Sequence, residues 1–162
     1  MIHVGIIGAE GAKFTKHGER QARAIIRTIL ARPDTVLVSG GCHLGGIDIW
    51  AEEEYANYRA LQHRPDPIIH LPAVLNWSRG FKPRNLRIAR DSNEVHNITV
   101  ARYASGYKGM RFDECYHCIR MRKEIGRATL EHIKSGGCWT AYEAVKLDKP
   151  TYWHVVVNGE EP

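Results

Sequence analysis

Apolar residues fall into two kinds of pattern along this chain. Five short runs, HVGIIG (3–8), TVLVS (35–39), PIIHL (67–71), VHNITV (95–100) and TYWHVVV (151–157), are β-branched and almost continuously apolar. That is the mark of strands buried on both faces of a parallel sheet. Between the first two, GERQARAIIRTILA (18–31) instead spaces Ala22, Ile25, Ile26, Ile29 and Leu30 along one helical face, and Arg32-Pro33 ends the helix. Further helices are predicted at 48–62, 85–91 and 140–147. Strand and helix alternate, which predicts an α/β fold, Rossmann-like and doubly wound, with a mainly parallel sheet of about five strands.

One segment interrupts the alternation. Residues 101–134, ARYASGYKGMRFDECYHCIRMRKEIGRATLEHIK, are far longer than the usual βα loop of about 2–6 residues and read as an insertion. The whole chain is one domain's worth: 162 residues, 43% hydrophobic, are enough to bury a substantial core. No run approaches the roughly 18 apolar residues of a membrane span, and the first residues, MIHVGIIG, lack a basic leader and cleavage site. A cytoplasmic protein is expected, with no membrane partner. Its four cysteines then read as reduced thiols or metal ligands rather than a disulfide framework.

The net charge of +5 is unevenly spread: residues 76–134 hold 13 Lys and Arg against 6 Asp and Glu, and the remainder is slightly acidic. Nucleic acid, a phosphorylated small molecule and a solvated face all remain open as reasons for this excess.

Glycines mark the candidate chemistry. Ser-Gly-Gly-Cys occurs twice, at 39–42 and 135–138, each time ahead of a predicted helix. In a parallel sheet, ligands bind beyond the carboxyl ends of the strands, where helix N-termini offer free N–H groups. Gly40, Gly41, Gly45 and Gly46 lie between the second strand and its helix, and Gly136 and Gly137 precede the last helix; side chains this small let backbone approach a phosphate. Thr140 would cap that helix or bind a phosphate oxygen. Gly8, in GIIGAEG, adds a third glycine turn.

The stretches VLVSGGCHLGGIDIWAEE, KPRNLRIARDSNEVHNITV and SGGCWTAYEAVKLDKPTYWHVV together resemble the SLOG superfamily of Rossmann-like nucleotide-binding proteins, which includes the DNA-processing protein A and LONELY GUY families. The resemblance leaves out only 101–134. It implies binding roles for Ser39, Asp48, Asn85 and Ser135 beside the glycines and Thr140, and a homo-oligomer. In the phosphoribohydrolase branch the matching Gly-Gly-x-Gly-Thr-x-x-Glu motif supplies a catalytic glutamate, here Glu143, and a catalytic arginine would fall on Arg84. The glycine just before the motif's threonine is Trp139 in this chain. Such a branch would hydrolyse the N-glycosidic bond of a nucleoside 5′-monophosphate, where a carboxylate beside the ribose balances an oxocarbenium-like state. A nucleotide sensor without turnover and a single-stranded DNA-binding protein are the other expectations.

Within the insertion, Cys115 and Cys118 have the C-x-x-C spacing of a zinc knuckle. His132 and Cys138 complete a closed structural Cys₃His set for zinc, with His117 and His96 as alternative fourth ligands. Cys42 reads as a small packing residue. Arg102, Lys108, Arg111, Arg120, Arg122, Lys123 and Arg127 interleave with Tyr103, Tyr107, Phe112 and Tyr116, as in surfaces that hold phosphates and stack bases, in a lid, or in a solvated face. Trp77, Phe81 and Trp139 are either a stacking platform or core.

Overall fold

The computed structural model describes residues 1–125 and 131–159, so Arg127 lies outside the described residues. Five strands, β1 (Ile2–Gly8), β2 (Thr35–Ser39), β3 (Ile68–Ile69), β4 (Glu94–Val100) and β5 (Thr151–Val156), make one all-parallel sheet in the order β3-β2-β1-β4-β5. Five helices accompany them: α1 (Lys16–Leu30), α2 (Ile47–Gln62), α3 (Lys82–Asp91), α4 (Tyr116–Ile125) and α5 (Gly137–Lys146). The chain winds outward from β1 to β3, then returns to lay β4 on the other side of β1. That is the doubly wound, Rossmann-like arrangement.

The strand pleat sorts side chains onto two faces. Val4 and Ile6 of β1, with Leu37, Ile98, Val100 and Val156, pack against Ala22, Ile26 and Leu30 of α1 and Ile47, Ala51 and Tyr55 of α2. Ile7, Val38 and Val95 point the other way, onto Ile88 and Ala89 of α3 and Ala141 and Ala144 of α5. Helix α1 starts where Thr15 accepts a hydrogen bond from the Gly18 N–H at 3.0 Å, and its apolar stripe is the one the spacing predicts. Arg23 ties α1 to α2 through Glu53 and Glu54 and lies over the Trp50 ring.

Four elements differ from the pattern. Strand β3 has two residues rather than five, because Pro67 lacks an N–H and Pro72 follows; the His70 N–H to Ser39 carbonyl bond, 2.9 Å, is its last tie to β2. Helix α3 begins at Lys82, directly after a wide turn at Trp77–Phe81 in which Gly80 crosses the Val74 carbonyl so closely that a Cβ would stand 1.7 Å from its oxygen. Helix α5 begins at Gly137, which makes Thr140 an interior helical residue; Gly136 is the N-cap and no side chain caps the helix. The insertion contains a helix, α4, that the pattern did not show. Among the described residues, no helix is long and apolar enough to cross a membrane.

Candidate ligand cavity and metal centre

Strand β1, the point at which the strand order reverses, ends in a cavity of about 700 Å³. Ile7 and Gly8 form its floor. One wall is the β2–α2 loop, with Cys42, His43 and Leu44 above Asp48. Phe81, Arg84, Asn85 and Ile88 face it from the start of α3, and Gly136, Gly137, Trp139 and Thr140 from the start of α5. The insertion supplies Tyr116, His117, Arg120 and Lys134, so the segment outside the glycine motifs closes the side they leave open.

Two aromatic pairs flank this space. Trp77 and Trp139 meet edge to face, centroids 4.9 Å apart at 86°, and His43 lies nearly parallel to Phe81, 6.2 Å away at 19°. Trp77 is 46% exposed, so it belongs to the cavity rim and not to the core. Four cations, Lys13, Arg84, Arg120 and Lys134, face two carboxylates, Glu10 and Asp48. Lys13 donates to the Lys134 carbonyl at 3.2 Å, and burial lowers its pKa. The Lys134 ammonium lies over Phe112 and Tyr116 at 5.4 and 5.5 Å. Glu10 is fixed from the insertion by the Tyr107 hydroxyl, 3.0 Å away.

The glycines of the first turn do not line the cavity; they build the arginine that does. Ser39, Gly40, Gly41, Gly45 and Gly46 are absent from the cavity wall. Arg84, buried beside the turn, donates Nη1 to the Gly40 carbonyl at 2.5 Å and Nε to Asn85 Oδ1 at 2.6 Å. A Cβ on Gly40 would stand 2.6 Å from Arg84 Nη1 and 2.9 Å from Asp48 Oδ2. Asp48 also accepts the Cys42 N–H at 3.2 Å, and burial pushes its carboxyl up to about 6 against the pull of Arg84. Gly46, at φ 88°, lets the loop pass within contact of Gly11 and Ala9.

The second turn opens directly on the cavity. Gly136 has ordinary helical dihedrals, and an added Cβ would meet nothing within 4 Å. Gly137 has no such room: its Cβ would stand 2.5 Å from Asn97 Oδ1 and 3.0 Å from Gly8. Ser135 is fully buried beneath the turn, its hydroxyl unpaired among the described residues. Glu143 lies two turns along α5, outside the wall, 3.3 Å from Lys146.

Behind the same turn, Cys115, Cys118, His132 and Cys138 offer four ligand atoms all within 4.8 Å of one another, every residue buried. His132 Nδ1 lies 2.6 Å from the Ile133 carbonyl, which can only accept, so Nδ1 carries the proton and Nε2 points its lone pair at Cys118 (3.3 Å) and Cys138 (3.7 Å). Asn97 and the Trp153 indole both donate to the Cys138 sulfur, at 3.2 and 3.5 Å. Hydrogen bonds from Cys118 and Cys138 hold the Cys115 thiol well below its usual range, the bond to Cys115 raises Cys118, and burial raises Cys138. This is the donor set of a closed, tetrahedral metal site.

The alternative ligands lie elsewhere. His96 is hydrogen-bonded to Glu94 and His154, both at 2.9 Å, because its place on β4 turns it toward β5. His117, one residue from a ligand, faces the cavity instead. Among the aromatic and basic residues of the insertion, Tyr103 and Tyr107 stack at 4.7 Å under Arg111, and the Ala104 N–H binds the Lys13 carbonyl, so this part is packed on the β1–α1 connection. Arg102, Lys108, Arg122 and Lys123 are exposed. Sequence reasoning missed Glu10, Lys13, His43 and Lys134; Glu10 and Lys13 directly follow the first glycine-rich strand, which was the available signal. No family model, curated protein or solved structure matches the chain.

Proposed function

We propose that this protein binds a nucleotide or nucleotide-derived phosphate in the cavity at the end of β1 and holds a structural zinc ion in the Cys₃His cluster. The observation that carries the first part is the cavity's division of labour: the uncapped start of α5 with Lys13, Lys134 and Arg120 suits a phosphate, and the aromatic pairs suit a planar base. The resemblance to the SLOG superfamily points the same way. Three sulfurs and one imidazole favour zinc over the hard, oxygen-seeking cations.

Nucleoside 5′-monophosphates should raise the melting temperature of the zinc-loaded protein, and Gly136→Trp should remove the rise while leaving the unliganded melting temperature in place. An unchanged rise in that variant places the ligand elsewhere. Hydrolysis is a second reading, and Asp48 favours it: a buried carboxylate in the cavity wall with a pKa near about 6 suits proton transfer at neutral pH. Release of free base by the wild type, lost in Asp48→Asn with binding retained, would support it; binding without release over hours would reduce the protein to a sensor.

A further inference from the structure

We infer that the metal centre and the cavity are coupled: the ion holds up one wall of the cavity, so that metal and ligand each strengthen the binding of the other. The inference rests on the ligand reading above and assigns its regulation.

Metal ligands and wall residues alternate along the chain. Cys115 and Cys118 flank Tyr116 and His117, with Arg120 two residues further; His132 precedes Lys134; Cys138 is set between Gly137 and Trp139. Each element that carries a ligand thus also carries wall. Cross-ties make the relation tighter. The Ser135 backbone N–H is hydrogen-bonded to the Cys115 sulfur, so the second glycine turn is tied to the start of α4. Asn97 donates to the Cys138 sulfur and, with Gly8, packs so closely on Gly137 that no side chain would fit there.

What else holds α4 in place is slight. Its apolar anchor is a small cluster of Cys115, Cys118, Met121, Cys138 and Tyr142, three of whose five members are the thiols themselves. Tyr116 is 49% exposed and the Arg120 side chain 80% exposed, so the cavity-facing side of α4 adds little packing. The two clusters that hold α1, α2, α3 and the sheet contain no metal-ligating cysteine. Without the ion, three thiols and an imidazole would sit buried at ligand spacing with only weak sulfur hydrogen bonds from Asn97, Trp153 and Ser135 in its place, and the cheapest relief is for α4 to swing away with Tyr116, His117 and Arg120. The sheet, the first glycine turn and Arg84 would remain. A ligand that touches α4 and the α5 turn therefore binds the metal-loaded state more tightly, and by linkage it must hold the metal more tightly in return.

The test uses adenosine 5′-monophosphate and the other nucleoside monophosphates as probes, with calorimetric titration of zinc-loaded protein and of protein stripped by a chelator. Stripping should leave the circular dichroism of the sheet intact and weaken nucleotide binding about 10-fold or more. The reciprocal measurement should show zinc lost more slowly to a competing chelator when nucleotide is present. His132→Cys, which keeps four ligands, should retain both metal and affinity; His132→Ala should lose both. Equal affinities for loaded and stripped protein would overturn the coupling, and so would global unfolding on stripping, since the ion would then support the whole domain and not one wall. If the loaded protein binds no nucleotide, the ligand reading fails by itself, and hydrogen exchange decides the coupling: faster exchange confined to 116–120 and 134–140 on stripping supports it, and unchanged exchange there overturns it.

Discussion

The same four residues, Ser-Gly-Gly-Cys, occur at 39–42 and 135–138 and do opposite things. In the first, Gly41 adopts a left-handed φ of 56° and the helix starts only at Ile47, so the loop has the length to fold back over Asp48 and receive Arg84 on the Gly40 carbonyl. In the second, Gly136 is already helical and α5 starts at Gly137, so the turn is short, bare and open to the cavity. Cys42 is half-buried; Cys138 is wholly buried in the Cys₃His cluster. A tetrapeptide thus specifies a turn at the end of a strand, and the distance to the following helix decides whether that turn positions side chains or presents its own backbone.

Exchanging the cysteines should separate the turns most sharply. Cys138→Ser should remove the metal and cost on the order of 4 kcal/mol in urea unfolding, because a buried ligand set loses its ion; Cys42→Ser should stay within about 0.5 kcal/mol. Native mass spectrometry should show about one zinc per chain in the wild type and in Cys42→Ser, and none in Cys138→Ser. Equal losses in both variants would erase the distinction.

The acid that the first turn buries should give the next largest effect. Burial pushes the Asp48 carboxyl up to about 6 when folded, against an ordinary value of 3.8. The folded state therefore binds its proton more tightly than the unfolded state, and the stability this contributes is complete below about pH 4 and lost as pH rises through about 6. Relative to Asp48→Asn, whose amide still accepts the Cys42 N–H, the wild type should lose about 2 kcal/mol between pH 4 and 7. Parallel curves for the two proteins would mean that Asp48 is better solvated than its burial implies.

Backbone demands come third. Gly41→Ala should cost about 1–2 kcal/mol, since an alanine there is left-handed and its Cβ would stand 2.8 Å from Leu71. Gly136→Ala should change stability by less than about 0.5 kcal/mol. The smallest effect belongs to Glu143→Gln: it gives up one partly exposed pair with Lys146, worth under about 1 kcal/mol, and should leave nucleotide affinity unchanged. A large loss of affinity in that variant would return Glu143 to the site.

Much of this was legible in the chain. The strand runs and the stripe of α1 located the sheet because burial on two faces and on one face leave different periods. The buried Cys₃His cluster was legible because C-x-x-C in an unexplained insertion points to further donors, with His132 and Cys138 preferred there over His117 and His96. Glu143 was placed by motif register alone, and the register carried no information on which side of α5 would face the cavity. Lys13 had only its position after the first glycine-rich strand as a signal, since a lysine in a loop is usually solvated; contacts with distant segments, among them the Lys134 carbonyl 121 residues away in sequence, bury it.

The sequence by itself determined the alternation of strand and helix, the positions of both glycine turns and the members of the buried Cys₃His cluster, because each follows from local period, local backbone freedom or donor chemistry. Only the tertiary structure decided that the first turn would serve Arg84 and Asp48, that the insertion would complete the cavity, and that the Cys₃His cluster and the cavity would share one wall. Those relations depend on which residues meet across the sheet's reversal at β1, and contacts between segments so distant in the chain are set by packing of the whole core, which no local pattern records.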